Sequence, residues 1–117
     1  MSFASLGLHQ DILQQVQTLN YTTPTPIQQA AIPVILERKD VLASAQTGTG
    51  KTAGFSLPML QILNETRHPK YRPIRALVLT PTRELAAQVY DNVKSYGTYL
   101  NMKTAVIFGG VKPKSQI

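Results

Sequence analysis

The stretch Ala45-Gln46-Thr47-Gly48-Thr49-Gly50-Lys51-Thr52 decides how this chain is read. It follows the short apolar run Val41-Leu42-Ala43, of strand character, and leads into Ala53-Gly54-Phe55-Ser56-Leu57, which can open a helix. Strand, glycine-rich loop and helix in that order form the setting of a phosphate-binding P-loop. Gly48 and Gly50 let the backbone turn tightly, so that successive N–H groups face one anion, and the helix N-terminus adds partial positive charge. Lys51 is placed to reach the β- and γ-phosphates of a nucleotide, and the Thr52 hydroxyl to ligate Mg²⁺. The general pattern opens on glycine; here its first position is Ala45.

The rest of the composition fits a packed domain. With 117 residues the chain makes one domain at most, and 43% hydrophobic content suits a globular core. No apolar run approaches the length of a membrane span, and no signal core follows a basic start. The absence of cysteine excludes disulfides and thiolate metal sites and agrees with a cytoplasmic location. The net charge of +6 favours an anionic partner, nucleic acid or nucleotide, although simple solubility explains such a surplus equally well.

Outward from the loop, the elements alternate. Leu8, Ile12, Leu13, Val16 and Leu19 recur at helical spacing around Gln14, Gln15 and Gln17. Asn20 to Pro24 breaks that pattern, and a second helix is expected from Thr25, with Pro26 in its first turn and Gln28 three residues after the cap. Pro33 is expected to kink or restart it before Glu37-Arg38-Lys39-Asp40 turns into the first strand. Beyond the loop, Pro58 interrupts a helical stretch through Met59, Leu60, Ile62 and Leu63, and Arg67 to Arg75 reads as a basic, solvated loop.

A second strand is expected over residues 75–80. A helix from Pro81-Thr82 follows, with Leu85, Val89, Val93 and Tyr96 on one face and an end near Gly97. A third strand, Thr104 to Phe108, stops at Gly109-Gly110. Apolar strands separated by helices predict an α/β fold with a parallel sheet covered on both faces.

Together these motifs resemble the DEAD-box RNA helicase family. Residues 20–28, ending Pro24-Thr25-Pro26-Ile27-Gln28, are similar to its Q motif, with Phe3 where the family has an isolated upstream aromatic. Residues 45–52 match its motif I, alanine in first place included. Residues 81–86, Pro-Thr-Arg-Glu-Leu-Ala, match motif Ia, and Gly109-Gly110 match the GG doublet. At Asn20 the family usually has glycine; asparagine tolerates a left-handed backbone better than most residues, so the turn survives. The short start and the run Leu19 to Thr23 suggest a bacterial member of the RhlE type.

The resemblance implies a RecA-like P-loop NTPase fold, with residues 1–117 as the N-terminal portion of the first RecA-like domain. The family's Ib, DEAD and SAT motifs and its second domain are not among these residues. The domain is therefore expected to be incomplete, with unpaired strand edges that favour self-association.

What the resemblance implies for individual residues stands beside plainer readings. Thr25-x-x-Gln28 has capping-box spacing, so Gln28 can simply close a helix start. In the family reading its amide pairs with adenine N6–H and N7, a match guanine lacks and worth about 1–3 kcal/mol of discrimination. Tyr21 is implied as the platform on which adenine stacks, buttressed by Phe3; otherwise both are core aromatics. Gln46, Thr47, Gly48, Thr49, Gly50 and Lys51 are implied to hold the phosphates of ATP or ADP, and Thr52 the Mg²⁺, with Lys51 and Thr52 the catalytic contributions of this stretch.

Pro81, Thr82, Arg83, Gly109 and Gly110 are implied to touch the RNA sugar–phosphate backbone without reading bases. The plainer reading makes Thr82 an N-cap, Arg83 and Glu84 first-turn residues, and the glycine pair a turn. His9 and His68 have no ligand-spaced partner and receive no chemistry.

The implied activity is ATP hydrolysis coupled to RNA binding and duplex separation in the whole protein. The family's second metal-holding aspartate, water-positioning glutamate and arginine finger are not among these residues, so turnover is not expected of them alone. Two other functions compete: a nucleotide- or RNA-binding module without turnover, and a P-loop ATPase unrelated to RNA, against which motif Ia argues.

Overall fold

Where the chain carries a capping residue followed by an apolar stripe, it forms a helix. The computed structural model describes residues 2–45, 50–66 and 75–100. A short 3₁₀ turn, Phe3–Leu6, ends on Gly7 at φ 96° and leads to helices α1 (Gln10–Thr18), α2 (Pro26–Leu36), α3 (Lys51–Glu65) and α4 (Arg83–Tyr96). His9 caps α1: its Nδ1 accepts from the Asp11 N–H at 3.2 Å, a structural duty that explains the residue without chemistry.

The end of α1 is a Schellman closure. Asn20 lies at φ 63°, its N–H donates to the Gln17 carbonyl at 3.0 Å, and the Tyr21 N–H donates to the Val16 carbonyl at 3.0 Å. The left-handed turn expected of Asn20 is therefore present, and it sets the backbone that presents Tyr21. Arg38, at φ 64°, ends α2 in the same way, with Lys39 N–H on the Val34 carbonyl.

The prolines behave differently from expectation. The α2 helix runs through Pro33 to Leu36 without restarting, and α3 runs continuously through a fully buried Pro58. Each proline lacks the N–H that would bond four residues back. Burial of the surrounding stripe outweighs that lost bond: Ile32 and Leu57 are completely inaccessible beside the two prolines.

The core joins Phe3, Leu6 and Leu8 to Ile12 and Val16 of α1, Ile32 of α2, Ala53, Leu57 and Leu60 of α3, and Val89, Val93 and Tyr96 of α4. Gln61 fastens the N-terminal turn to α3. Its buried amide accepts from the His9 N–H and donates from Nε2 to the Gly7 carbonyl at 3.0 Å. Of the stripe expected on α4, Val89, Val93 and Tyr96 are buried, while Leu85 stays exposed. The helix ends on Gly97, at an ordinary φ of −90°.

The expected sheet is not seen among the described residues. Among the described residues no strand is formed: 41–45 and 75–80 carry no ladder. Leu42 is fully exposed, and Leu77 and Leu79 are 79% and 84% exposed. A strand exists only by pairing, and neither run supplies hydrogen-bond partners to the other. The third expected strand and Gly109-Gly110 lie outside the described residues, as do Gln46 to Thr49 and most of the basic loop. Arg75 of that loop caps the end of α3, donating to the Leu63 carbonyl at 3.0 Å and to the Thr66 hydroxyl.

Candidate nucleotide and RNA site

Thr25 and Pro26 begin α2 as a capping box. The Gln28 N–H donates to Thr25 Oγ1 at 3.4 Å, and Gln28 Oε1 accepts from the Thr25 N–H at 2.9 Å. The plainer reading of Gln28 is thus present in the fold. The same side chain also reaches across to the phosphate loop, where Nε2 donates to the Gly50 carbonyl at 3.2 Å. A primary amide has two N–H donors and an oxygen with two lone pairs. Capping and bridging use one of each, leaving one donor and one acceptor, the pair that an adenine edge requires. The cap and adenine roles are therefore compatible, although Gln28 is only 4% exposed.

Gly50 must be glycine here for two reasons. It sits at φ 87°, and a Cβ on it would lie 2.3 Å from Gln28 Nε2 and 3.2 Å from Thr25 Oγ1. It is also the N-cap of α3, which consequently has no side-chain cap, whereas the N-caps of α1, α2 and α4 all accept a backbone N–H. The first N–H groups of α3 have no carbonyl within their own helix to bond. Lys51, exposed, and Thr52, half-buried, are its first two residues. An uncapped helix start with a lysine and a hydroxyl fits a nucleotide phosphate with its Mg²⁺. Among the described residues no cluster of three or more histidines, cysteines and carboxylates could hold a metal.

Tyr21 is 38% exposed and flanked by two buried aromatics. Phe3 lies with its ring centroid 6.5 Å away at 31°, and Tyr96 meets it edge-on at 6.2 Å and 66°. Phe3 therefore backs Tyr21. The Tyr96 contact was legible in the sequence only as an apolar face of α4, because a periodic stripe says nothing of the hydroxyl at its end.

At the other end of α4, Thr82 Oγ1 accepts from the Leu85 N–H at 3.1 Å, the cap that the plainer reading describes. Pro81, Thr82, Arg83 and Glu84 are all exposed, so a guanidinium stands at an accessible helix start with a carboxylate beside it. Among the described residues no helix is long and apolar enough to cross a membrane.

Comparison with known proteins agrees with these motifs. Residues 25–117 match the family model described as DEAD/DEAH box helicase. The chain is 45% identical over 115 residues to the DEAD-box ATP-dependent RNA helicase RhpA of Helicobacter pylori, covering 98% of this chain and 22% of that protein. It is 44% identical over 115 residues to the ATP-dependent rRNA helicase RRP3 of Meyerozyma guilliermondii, covering 98% and 23%. The chain thus spans about a fifth of the length of these relatives, which come from bacteria and fungi alike and single out no bacterial subtype.

Among solved structures, the Prp28 RNA helicase of Chaetomium thermophilum bound to ADP superposes with TM-score 0.87 at 37% identity, covering 97% of this chain and 28% of that one. A DEAD box protein of Methanococcus jannaschii superposes at 0.84, also with 37% identity, covering 98% and 31%.

Proposed function

Because the chain belongs to the DEAD/DEAH box helicase family, we propose that it is the nucleotide-binding portion of an ATP-dependent RNA helicase, with the RecA-like parallel sheet that this family membership implies. In this reading the whole protein, cytoplasmic, couples ATP hydrolysis to RNA binding and duplex separation. Tyr21 and the free half of the Gln28 amide recognise adenine. Gln46 to Lys51 bind the phosphates, and Lys51 offsets the charge that develops on the transferred group. Thr52 holds Mg²⁺, which when bound neutralises the β- and γ-phosphate oxygens.

Pro81, Thr82, Arg83, Gly109 and Gly110 contact the RNA backbone. Such contacts carry no base information and weaken with salt through counterion release. Residues 1–117 hold nucleotide and RNA without turning ATP over by themselves. No Asp-Glu-Ala-Asp occurs among them, and positioned metal and water are what phosphoryl transfer needs.

The observation that carries this reading is the 3.2 Å bond from Gln28 to the Gly50 carbonyl, which joins the base-reading motif to the start of the phosphate helix. Gln28→Glu tests it, because glutamate keeps the capping box and removes both amide donors. ADP and ATP should bind the unmutated chain better than GDP and GTP. The variant should stay folded and lose most of that preference, a change of about tenfold. Equal binding of adenine and guanine nucleotides before mutation would refute the assignment.

A further inference from the structure

The ring proposed to carry adenine is held from a helix that belongs to none of the nucleotide motifs. Tyr21 and Tyr96 bring their hydroxyls to 3.3 Å, and their rings meet edge to face. Tyr96 lies on the last turn of α4 and is buried, while Tyr21 is partly open to solvent. The preceding residue, Ser95, makes a second tether, its Oγ accepting from Gln15 Nε2 of α1 at 3.2 Å. The last turn of α4 therefore grips both α1 and the residue that follows the turn ending α1.

We propose that Tyr96 is a positioning residue that fixes the Tyr21 ring through the hydroxyl pair and so presents it in one orientation to the base. The backbone at Tyr21 is already set by the left-handed Asn20 and the Tyr21 N–H to Val16 bond. What that backbone leaves undetermined is the side chain, which on an exposed tyrosine hops between rotamers in picoseconds to nanoseconds. Phe3 supplies a surface against one side of the ring but no directional bond. The Tyr96 hydroxyl supplies the direction.

Burial, and then the neighbouring Tyr21 hydroxyl, raise the Tyr96 phenol above its ordinary value, so the Tyr96 hydroxyl keeps its proton through the physiological range. The consequence for nucleotide rests on the reading of Tyr21 as the adenine platform; the positioning itself does not.

The test separates the two. Tyr96→Phe keeps the buried ring and deletes the hydroxyl. In the chain with isotopically labelled aromatic rings, nuclear Overhauser contacts between Phe3 and Tyr21 should lose intensity in Tyr96→Phe. ADP affinity should fall about threefold, the yield of one modest hydrogen bond. Tyr21→Phe should give the same affinity loss, and the Tyr21→Phe/Tyr96→Phe double variant no more than either, since all three lack the same bond.

Phe3–Tyr21 contacts unchanged in Tyr96→Phe, or losses that add in the double variant, would overturn the proposal. If Tyr21→Ala leaves ADP affinity untouched while Tyr96→Phe loosens the ring contacts, the positioning stands and the adenine platform falls.

Discussion

Among the described residues, the four α-helices and the two apolar runs at 41–45 and 75–80 obey different rules. Helices α1, α2 and α4 each satisfy a starting N–H group with a side chain two or three residues away, and α1 and α2 close their ends with left-handed turns at Asn20 and Arg38. Their capping partners lie within a few residues. The runs 41–45 and 75–80, where strands were expected, form no ladder among the described residues and leave Leu42, Leu77 and Leu79 in solvent. Helical order is closed locally, whereas a strand is an agreement with another segment.

The largest effect expected from this contrast falls on the helical core. Leu57 is fully buried in α3, so Leu57→Ala should destabilise by about 2–5 kcal/mol in chemical denaturation. Leu77→Ser, by contrast, should leave that stability within about 0.5 kcal/mol, as exposed sites do. A comparable loss from both would erase the distinction between the two regions.

What Leu77→Ser should change is association. Exposed apolar edges recruit strands from a second copy, so the chain should sediment as dimers or larger species at micromolar concentration. Leu42→Ser combined with Leu77→Ser and Leu79→Ser should shift it toward monomer. A cooperatively folding monomer before any substitution would contradict this.

The smallest effect concerns a flaw inside the packed region. The Ser56 hydroxyl is completely buried in α3 with no hydrogen-bond partner among the described residues. Removing an unsatisfied buried hydroxyl is neutral or favourable, so Ser56→Ala should hold or raise stability by up to about 1 kcal/mol. A clear loss in the denaturation midpoint would mean that the hydroxyl has a partner in solution.

The contrast also explains what was legible in the sequence. Thr25, Pro26 and Gln28 announce the start of α2 through chemistry three residues apart, and the structure reproduces that box. Thr82 and the left-handed Asn20 are legible for the same reason. Pro33 and Pro58 misled because a missing N–H is visible locally, while the burial that overrides it is not.

Gln61 and Tyr96 were missed as functional parts because each acts on a distant segment: Gln61 on Gly7 and His9, Tyr96 on Tyr21. A polar amide set between Leu60 and Ile62 in an apolar stripe was the one available signal for the first. The two roles weighed for Gln28 competed only on paper, since one amide has enough donors and acceptors for both.

The central claim is that adenine nucleotide binds at the corner where Gln28 of α2 meets Gly50 at the start of α3. Titrating ADP into isotopically labelled chain and following backbone and side-chain amides by NMR tests it directly. The account predicts that the largest shifts fall on the Gly50 to Ala53 amides and on the Gln28 side-chain NH₂, with GDP moving the phosphate-loop amides but not the Gln28 amide. Largest shifts elsewhere, or the same Gln28 response to GDP as to ADP, would contradict it.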